Sequence, residues 1–221
     1  ATVARVATGY DHSCAVLNDG SVKCWGDNYG GQLGDGTTTD RLSPVAVDLG
    51  TSMTAASIDL GYRHSCAVLN DGSVKCWGRN SYGQLGDGTL NSSLLPQPVE
   101  LGENQMVELV ITGSGMTCVS VLSLEFYCWG HNDLGQIGDG STVDRTVPVP
   151  IDLELPLLAA IGVSTRGTTT CITLNSGFLS CWGRNLNGEL GDGTTMDDLD
   201  PKVVPLGLEK VSYHLSPCAV L

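Results

Sequence analysis

The chain has 221 residues, 41% hydrophobic and 16% charged, with a formal charge of −13 from 24 acidic and 11 basic side chains. A surface this acidic repels phosphate backbones and anionic lipid, which argues against a nucleic-acid partner or a membrane-bound role. The 29 glycines follow no collagen-like period, so they mark many turns and short strands, and no stretch sustains the 3.6-residue apolar period of a helix.

In chain order, the first predicted strand is Ala4-Arg5-Val6-Ala7-Thr8, followed by strands at 13–17 and 21–25 with Asn18-Asp19-Gly20 between them. Asn-Asp-Gly suits a three-residue hairpin loop, a type I turn followed by a left-handed glycine. A glycine-rich loop then leads to Pro44, which introduces a fourth strand, Val45-Ala46-Val47-Asp48-Leu49. The series starts again at Ala56-Ser57-Ile58-Asp59-Leu60, and CAVLNDGSVKCWG at 14–26 recurs unchanged at 66–78. Residues 118–130 (CVSVLSLEFYCWG) and 171–183 (CITLNSGFLSCWG) are two more copies, so Cys14, Cys66, Cys118 and Cys171 are spaced by 52, 52 and 53. A second block follows each copy: GQLGDG at 31–36 and 83–88, GQIGDG at 135–140, GELGDG at 188–193.

About four short strands in each unit of this length describe an all-β propeller blade rather than a helical solenoid unit. The 221 residues read as one propeller segment with repeats at approximately 1–49, 50–101, 102–153 and 154–206 and a partial fifth at 207–221. Blades pack face to face, so Trp25, Trp77, Trp129 and Trp182 are expected between blades, on the sheet face opposite the neighbouring cysteine. The period, the C-x9-C-W-G hairpin and the G-Q-L-G-x-G block resemble the repeats of the regulator of chromosome condensation family. That resemblance implies a seven-bladed ring with a central channel. It leaves function open, since the family includes nucleotide exchange on a small GTPase, light sensing, inhibition of a secreted enzyme and scaffolding.

The apolar stretch at 153–163 is too short to span a bilayer and contains Pro156 and Gly162. The first residue is Ala1 rather than Met, which leaves room for a leader removed or not included. At the other end Cys218-Ala219-Val220-Leu221 matches Cys14-Ala15-Val16-Leu17, so the last unit stops where its hairpin should turn. An open stack would expose strand edges. The expectation is therefore a piece of a longer propeller, the alternative a ring completed by other chains.

The nine cysteines form no C-x2-C pair and no Cys/His cluster at zinc spacing. With Leu17 and Ser21 closing the hairpin, Val16 faces Val22 and Cys14 faces Cys24 as a non-hydrogen-bonded pair, with a Cα separation of about 4.5 Å. Disulfides Cys14–Cys24, Cys66–Cys76, Cys118–Cys128 and Cys171–Cys181 are expected, leaving Cys218 alone. They imply an extracytoplasmic setting: secreted, cell-surface or lumenal. Buried free thiols in a cytoplasmic protein are the alternative.

The GDG triplets with Asp40, Asp144, Asp197 and Asp198 lack the Asp/Asn ladder of a calcium loop and read as turns. GQLGDG is not G-x-G-x-x-G, and neither G-x-S-x-G nor H-E-x-x-H occurs, so no catalytic, cofactor or metal site is predicted. His12 and His64 share a repeat position that Met116 and Thr169 take next. In Gly9-Tyr10-Asp11-His12-Ser13 and Gly61-Tyr62-Arg63-His64-Ser65, tyrosine stands where the family's light sensor has tryptophan.

The loop after each Trp-Gly keeps an Asn (Asn28, Asn80, Asn132, Asn185), read as a turn former, while its neighbours change. Asp27, Tyr29, Arg79, Tyr82, His131, Leu134, Arg184 and Leu186 are thus candidate partner contacts, with neutral variation of a surface the alternative. Leu122 and Leu124 replace the Asn-Asp-Gly turn in the third repeat, which is expected to turn differently because left-handed non-glycine residues are strained. They are further candidates, either as contacts or folded onto the core. Asn91-Ser92-Ser93 is a glycosylation sequon, meaningful only in a eukaryotic secretory pathway. The function expected is non-catalytic: a protein-interaction or scaffold module, alone or as part of a larger assembly. The alternative is an enzyme inhibitor or small-GTPase regulator using the same surface. No small-molecule substrate is implied.

Overall fold

The computed structural model describes residues 2–103, 105–153, 160–165, 167–175 and 177–206, with only the backbone of 160–163. The partial fifth repeat at 207–221, including Cys218, lies outside the described residues. The described residues form four antiparallel four-stranded meanders, the blades of a β-propeller. Blade 1 holds β1 (Val3–Thr8), β2 (His12–Leu17), β3 (Val22–Gly26) and β4 (Arg41–Val47). Blade 2 holds β5 (Ala55–Leu60), β6 (His64–Leu69), β7 (Val74–Gly78) and β8 (Ser93–Pro98). Blade 3 holds β9 (Val107–Thr112), β10 (Met116–Val121), β11 (Phe126–Gly130) and β12 (Arg145–Pro150). Blade 4 holds β13 (Ala160–Ser164), β14 (Thr169–Leu174), β15 (Leu179–Gly183) and β16 (Asp198–Val203).

The first strands of blades 1 to 3 meet one another (β1 with β5, β5 with β9), which puts them on the inside of the arc. Strands β6 and β10 are buried at every position, because a blade covers each of their two faces. The fourth strand of each blade lies at the sheet edge, and this changes one expected boundary. Pro44 sits inside β4 rather than before it, as Pro96, Pro148 and Pro201 sit inside β8, β12 and β16. An edge strand has N–H groups with no ladder partner to lose, so proline is tolerated there. The register slips beside it, with Val45 opposite Cys24 but Arg41 opposite Gly26.

The hairpins have the expected register: Val16 pairs with Val22 and Cys14 with Cys24. Leu17 N–H reaches Ser21 O at 2.9 Å, and Gly20, at φ 78°, donates to Leu17 O at 2.8 Å. All four predicted cysteine pairs are disulfides, each with its Cα atoms 4.1 Å apart. The third hairpin corrects the sequence reading. It turns as the others do, with Leu124 at φ 70° donating to Val121 O at 2.9 Å. Pairing of β10 with strands on both sides fixes this register and outweighs the roughly 1–2 kcal/mol disfavouring a left-handed non-glycine residue.

The core lies between blades. Trp77 is fully buried in one apolar cluster with Cys14, Cys24 and Leu33 of the blade before it. Trp129 sits likewise with Cys66, Cys76 and Leu85, and Trp182 with Cys118, Cys128 and Ile137. Each indole also donates across the blade boundary: Trp77 Nε1 to Gln32 O at 2.9 Å, Trp129 Nε1 to Gln84 O at 2.9 Å, Trp182 Nε1 to Gln136 O at 3.0 Å. A hydroxyl from the same later blade reaches each carbonyl: Ser65 at 2.8 Å, Thr117 at 2.9 Å and Thr170 at 2.8 Å. Trp25, in the first blade, is only half-buried.

The close approach of indole and loop explains the middle glycine of G-Q-L-G-D-G. A Cβ on Gly86, at φ +69°, would lie 2.6 Å from Trp129 Nε1, whereas one on Gly36, at φ +77°, meets only Leu95 Cδ2 at 3.7 Å. Gly36→Ala should therefore lose about 1–2 kcal/mol for its backbone alone, and Gly86→Ala about 1–3 kcal/mol more for the collision. Denaturant unfolding of both variants checks this; equal losses would show that Gly86 does not shape the blade joint.

Candidate functional site

At one end of the blades run the loops joining first to second and third to fourth strands. The long third loop supports itself. Asn28 is fully buried, its Nδ2 donating to Thr37 O at 3.0 Å and Thr39 O at 3.1 Å while its Oδ1 accepts from Leu33 N–H at 3.0 Å. Asn80, Asn132 and Asn185 repeat these bonds to Thr89, Ser141 and Thr194 and to Leu85, Ile137 and Leu190. The GDG carboxylates serve the same loops. Asp35 pairs with Arg41 at 2.7 Å, and Asp139 with Arg145 at 2.6 Å. Burial pulls both acids upward, but hydrogen bonds from Thr37 and Arg41, and from Ser141 and Arg145, hold them below the usual carboxylate range. The repeated Asn residues are loop staples, as the sequence suggested.

On this frame lies a ribbon of rings and cations. Tyr10 and Tyr62 pack with centroids 4.8 Å apart. The Arg63 guanidinium is 5.4 Å from the ring centroids of both Tyr62 and Tyr29. Arg79 lies 5.9 Å from the Tyr82 centroid, and Tyr82 stacks on His131 at 4.1 Å. Tyr10 and Tyr29 are 72% and 75% exposed, so these rings are not core. Arg63 and Arg79 line two clefts together, one of about 280 Å³ with Tyr62, Tyr82 and His131, the other of about 500 Å³ with Tyr29, Ser81 and Leu94. A third cavity of about 370 Å³ gathers the inner corners of all four blades, among them Tyr10, Tyr62, Ser114 and Thr165.

The structure thus joins Tyr29, Arg79, Tyr82 and His131 of the predicted contacts. Asp27 is tied inward, accepting from Gln32 Nε2, and Leu134 is half-buried. Arg184 and Leu186 occupy the corresponding loop of blade 4, with Leu186 58% exposed. Leu122 and Leu124 sit on the β10–β11 turn at the opposite end and point outward, so they are separate from the ribbon. Asn91 is exposed in the β7–β8 loop beside Ser92, which lines the larger cleft. Tyr10, Tyr62 and Arg63 were not singled out as contacts; their signal was the repeated G-Y-x-H-S segment.

Beneath the ribbon the two histidines bridge blades, His12 Nε2 lying 3.0 Å from Ser65 Oγ and His64 Nε2 3.0 Å from Thr117 Oγ1. Burial lowers the His12 pKa to about 4 against the pull of Asp27, and lowers His64 to about 3 with a further push from His12. Asp59 is raised by its own burial, opposed by hydrogen bonds from the backbone and hydroxyl of Thr112.

These histidines predict a pH dependence. The unfolded imidazole, with a pKa of about 6.5, takes up protons that the folded one refuses, so stability falls as pH drops below about 6.5. For His64 the loss continues until about pH 3. His64→Met, which installs the residue blade 3 carries at this position, should flatten the stability–pH curve between those limits. Thermal unfolding across that range tests this; an unchanged slope would mean His64 is not held neutral.

Two profiles of one repeat match the chain, both described as the regulator of chromosome condensation (RCC1) repeat: one at residues 3–32 and 55–84, the other at 19–68 and 71–120. The chain is 32% identical over 203 residues to the ultraviolet-B receptor UVR8 of Arabidopsis thaliana, covering 91% of this chain and 46% of that one. It superposes on human WBSCR16 with a TM-score of 0.80 at 25% identity, covering 91% of this chain and 52% of that one. Yeast RCC1 (Prp20), solved bound to Kap60, gives a TM-score of 0.77 at 18% identity, with 91% and 48% covered. The chain thus spans about half the length of these relatives.

Proposed function

We propose that this chain, which belongs to the regulator of chromosome condensation repeat family, is a non-catalytic module that binds a protein partner through the loop end carrying the tyrosine–arginine ribbon. The observation behind this reading is the division of labour in the loops. Their conserved-within-the-chain polar groups, Asn28 and its counterparts, are consumed by the loops' own hydrogen bonds, yet large rings stand exposed on top. Exposed aromatic and arginine side chains on a rigid frame are the composition of energetically dominant interface residues. The name of the UVR8 relative, a receptor, accords with a recognition role. We further propose an oxidising compartment, supported by the four hairpin disulfides.

Partner capture from the native source tests the reading. Tyr29→Ser combined with Tyr82→Ser should abolish capture, while Leu122→Ser with Leu124→Ser, at the other end of the blades, should leave it intact. The reverse result would move the interface to the hairpin turns. Alkylation of the same preparation without reduction should leave the eight hairpin cysteines unlabelled; full labelling would place the protein in a reducing compartment.

A further inference from the structure

We propose that Arg63 and Arg79 form the docking point for a short acidic segment of the partner, each guanidinium taking one carboxylate with an apolar side chain between them. The inference rests on the preceding reading of the loop end as a protein-binding face and names the chemistry that face recognises.

The first argument is where the cations are used. The chain has 11 lysines and arginines against 24 acids. Among the described residues, arginines used in ion pairs include Arg41 with Asp35 and Arg145 with Asp139. Arg63 and Arg79 are instead placed against ring faces. Stacking orients a guanidinium while leaving its in-plane N–H fork for a carboxylate, the geometry at which arginine surpasses lysine. Arg79 gives its Nε–H to Ser81 Oγ at 3.0 Å, which further fixes its direction.

Among the described residues, no ion pair is seen between a nearby acid and Arg63 or Arg79. Asp27 accepts from Gln32, Asp40 accepts from the Asn28 N–H at 2.8 Å, and Asp133 faces His131 at 3.3 Å. The two arginines wall both clefts, so their charges serve one continuous surface, and Leu94 with Tyr29 supplies an apolar lining to the larger cleft. Total charge then selects the size of the ligand. At −13 the chain repels an extended polyanion, but salt screens that field beyond about 8 Å, and within that distance the two local cations decide. A segment with a few carboxylates fits; a nucleic acid does not.

The test uses the fluorescein-labelled peptide Glu-Glu-Leu-Glu-Glu, followed by anisotropy, with Gln-Gln-Leu-Gln-Gln and a phosphoserine peptide as comparisons. The acidic peptide should bind, and the glutamine peptide should not. Arg63→Gln and Arg79→Gln should each weaken binding about tenfold or more, as expected for loss of a charge-assisted bidentate pair. Arg63→Lys should fall between, and Arg5→Gln, on exposed β1, should change nothing. Arginine Nε–Hε resonances of the unmutated protein provide a readout independent of folding: those of Arg63 and Arg79 should shift on titration. An equal effect of Arg5→Gln would show diffuse electrostatic attraction and overturn the proposal, as would binding of the phosphoserine peptide alone. If no acidic peptide binds while capture still depends on Tyr29 and Tyr82, this proposal fails and the binding-face reading stands.

Discussion

The structure depends on one carbonyl at each boundary between blades. Gln32 O, in the long loop of blade 1, accepts both the Trp77 indole and the Ser65 hydroxyl of blade 2. Both lone pairs of a buried carbonyl are thereby satisfied by the next blade, in a place where leaving them unpaired would cost about 1–3 kcal/mol. The same indole lies in one cluster with the Cys14–Cys24 bridge and Leu33. A single side chain therefore closes the apolar seam, satisfies the loop and requires glycine at position 34, where a Cβ would come within 2.7 Å of Trp77 Nε1. Repeated at Gln84 and Gln136, this joint connects a row of sheets that could not separately bury their faces.

The joint also explains why the binding face can vary. The loop beginning at Trp-Gly is anchored from below by the next blade's tryptophan and from within by its own Asn. Neither anchor uses the side chains of the one or two residues immediately after the Asn. Position 29 or its neighbours can then carry Tyr29, Tyr82 or Leu134 without disturbing the hairpins. The exposed ribbon is the outcome in blades 1 to 3: rings and guanidiniums chosen by surface chemistry, on loops whose geometry is decided elsewhere. The fourth loop differs in one respect, since Glu189 stands where Gln32, Gln84 and Gln136 are buried, and it is exposed.

Much of this was legible in the sequence because the repeat displays its own constraints. The spacing Cys14 to Cys24 around Asn-Asp-Gly determines a register, and the register determines a disulfide. The recurrence of Trp after each second Cys announces a seam between sheets. What escaped was whatever depends on how strands pair within a sheet and how blades meet. Pro44 looked like a strand start, because proline ends most ladders; only its place at a sheet edge makes it an interior residue. Leu124 looked incompatible with the shared turn, because intrinsic strain was weighed without the strands that impose it. Tyr10, Tyr62 and Arg63 were visible as a repeated segment, but Tyr10 meets Tyr62, and Tyr29 meets Arg63, only when blades 1 and 2 stack.

The joint itself is tested most directly by amide hydrogen exchange in Trp77→Phe, which keeps an aromatic ring, smaller than the indole, and removes the N–H. The account predicts faster exchange in the preceding blade, at the Leu33 and Gly34 amides that close the Asn28 loop, with the β6–β7 hairpin carrying the substitution little changed. Exchange that rises only within β6 and β7, or nowhere, would show that the loop stands without its neighbour and that the blades are joined by apolar packing alone.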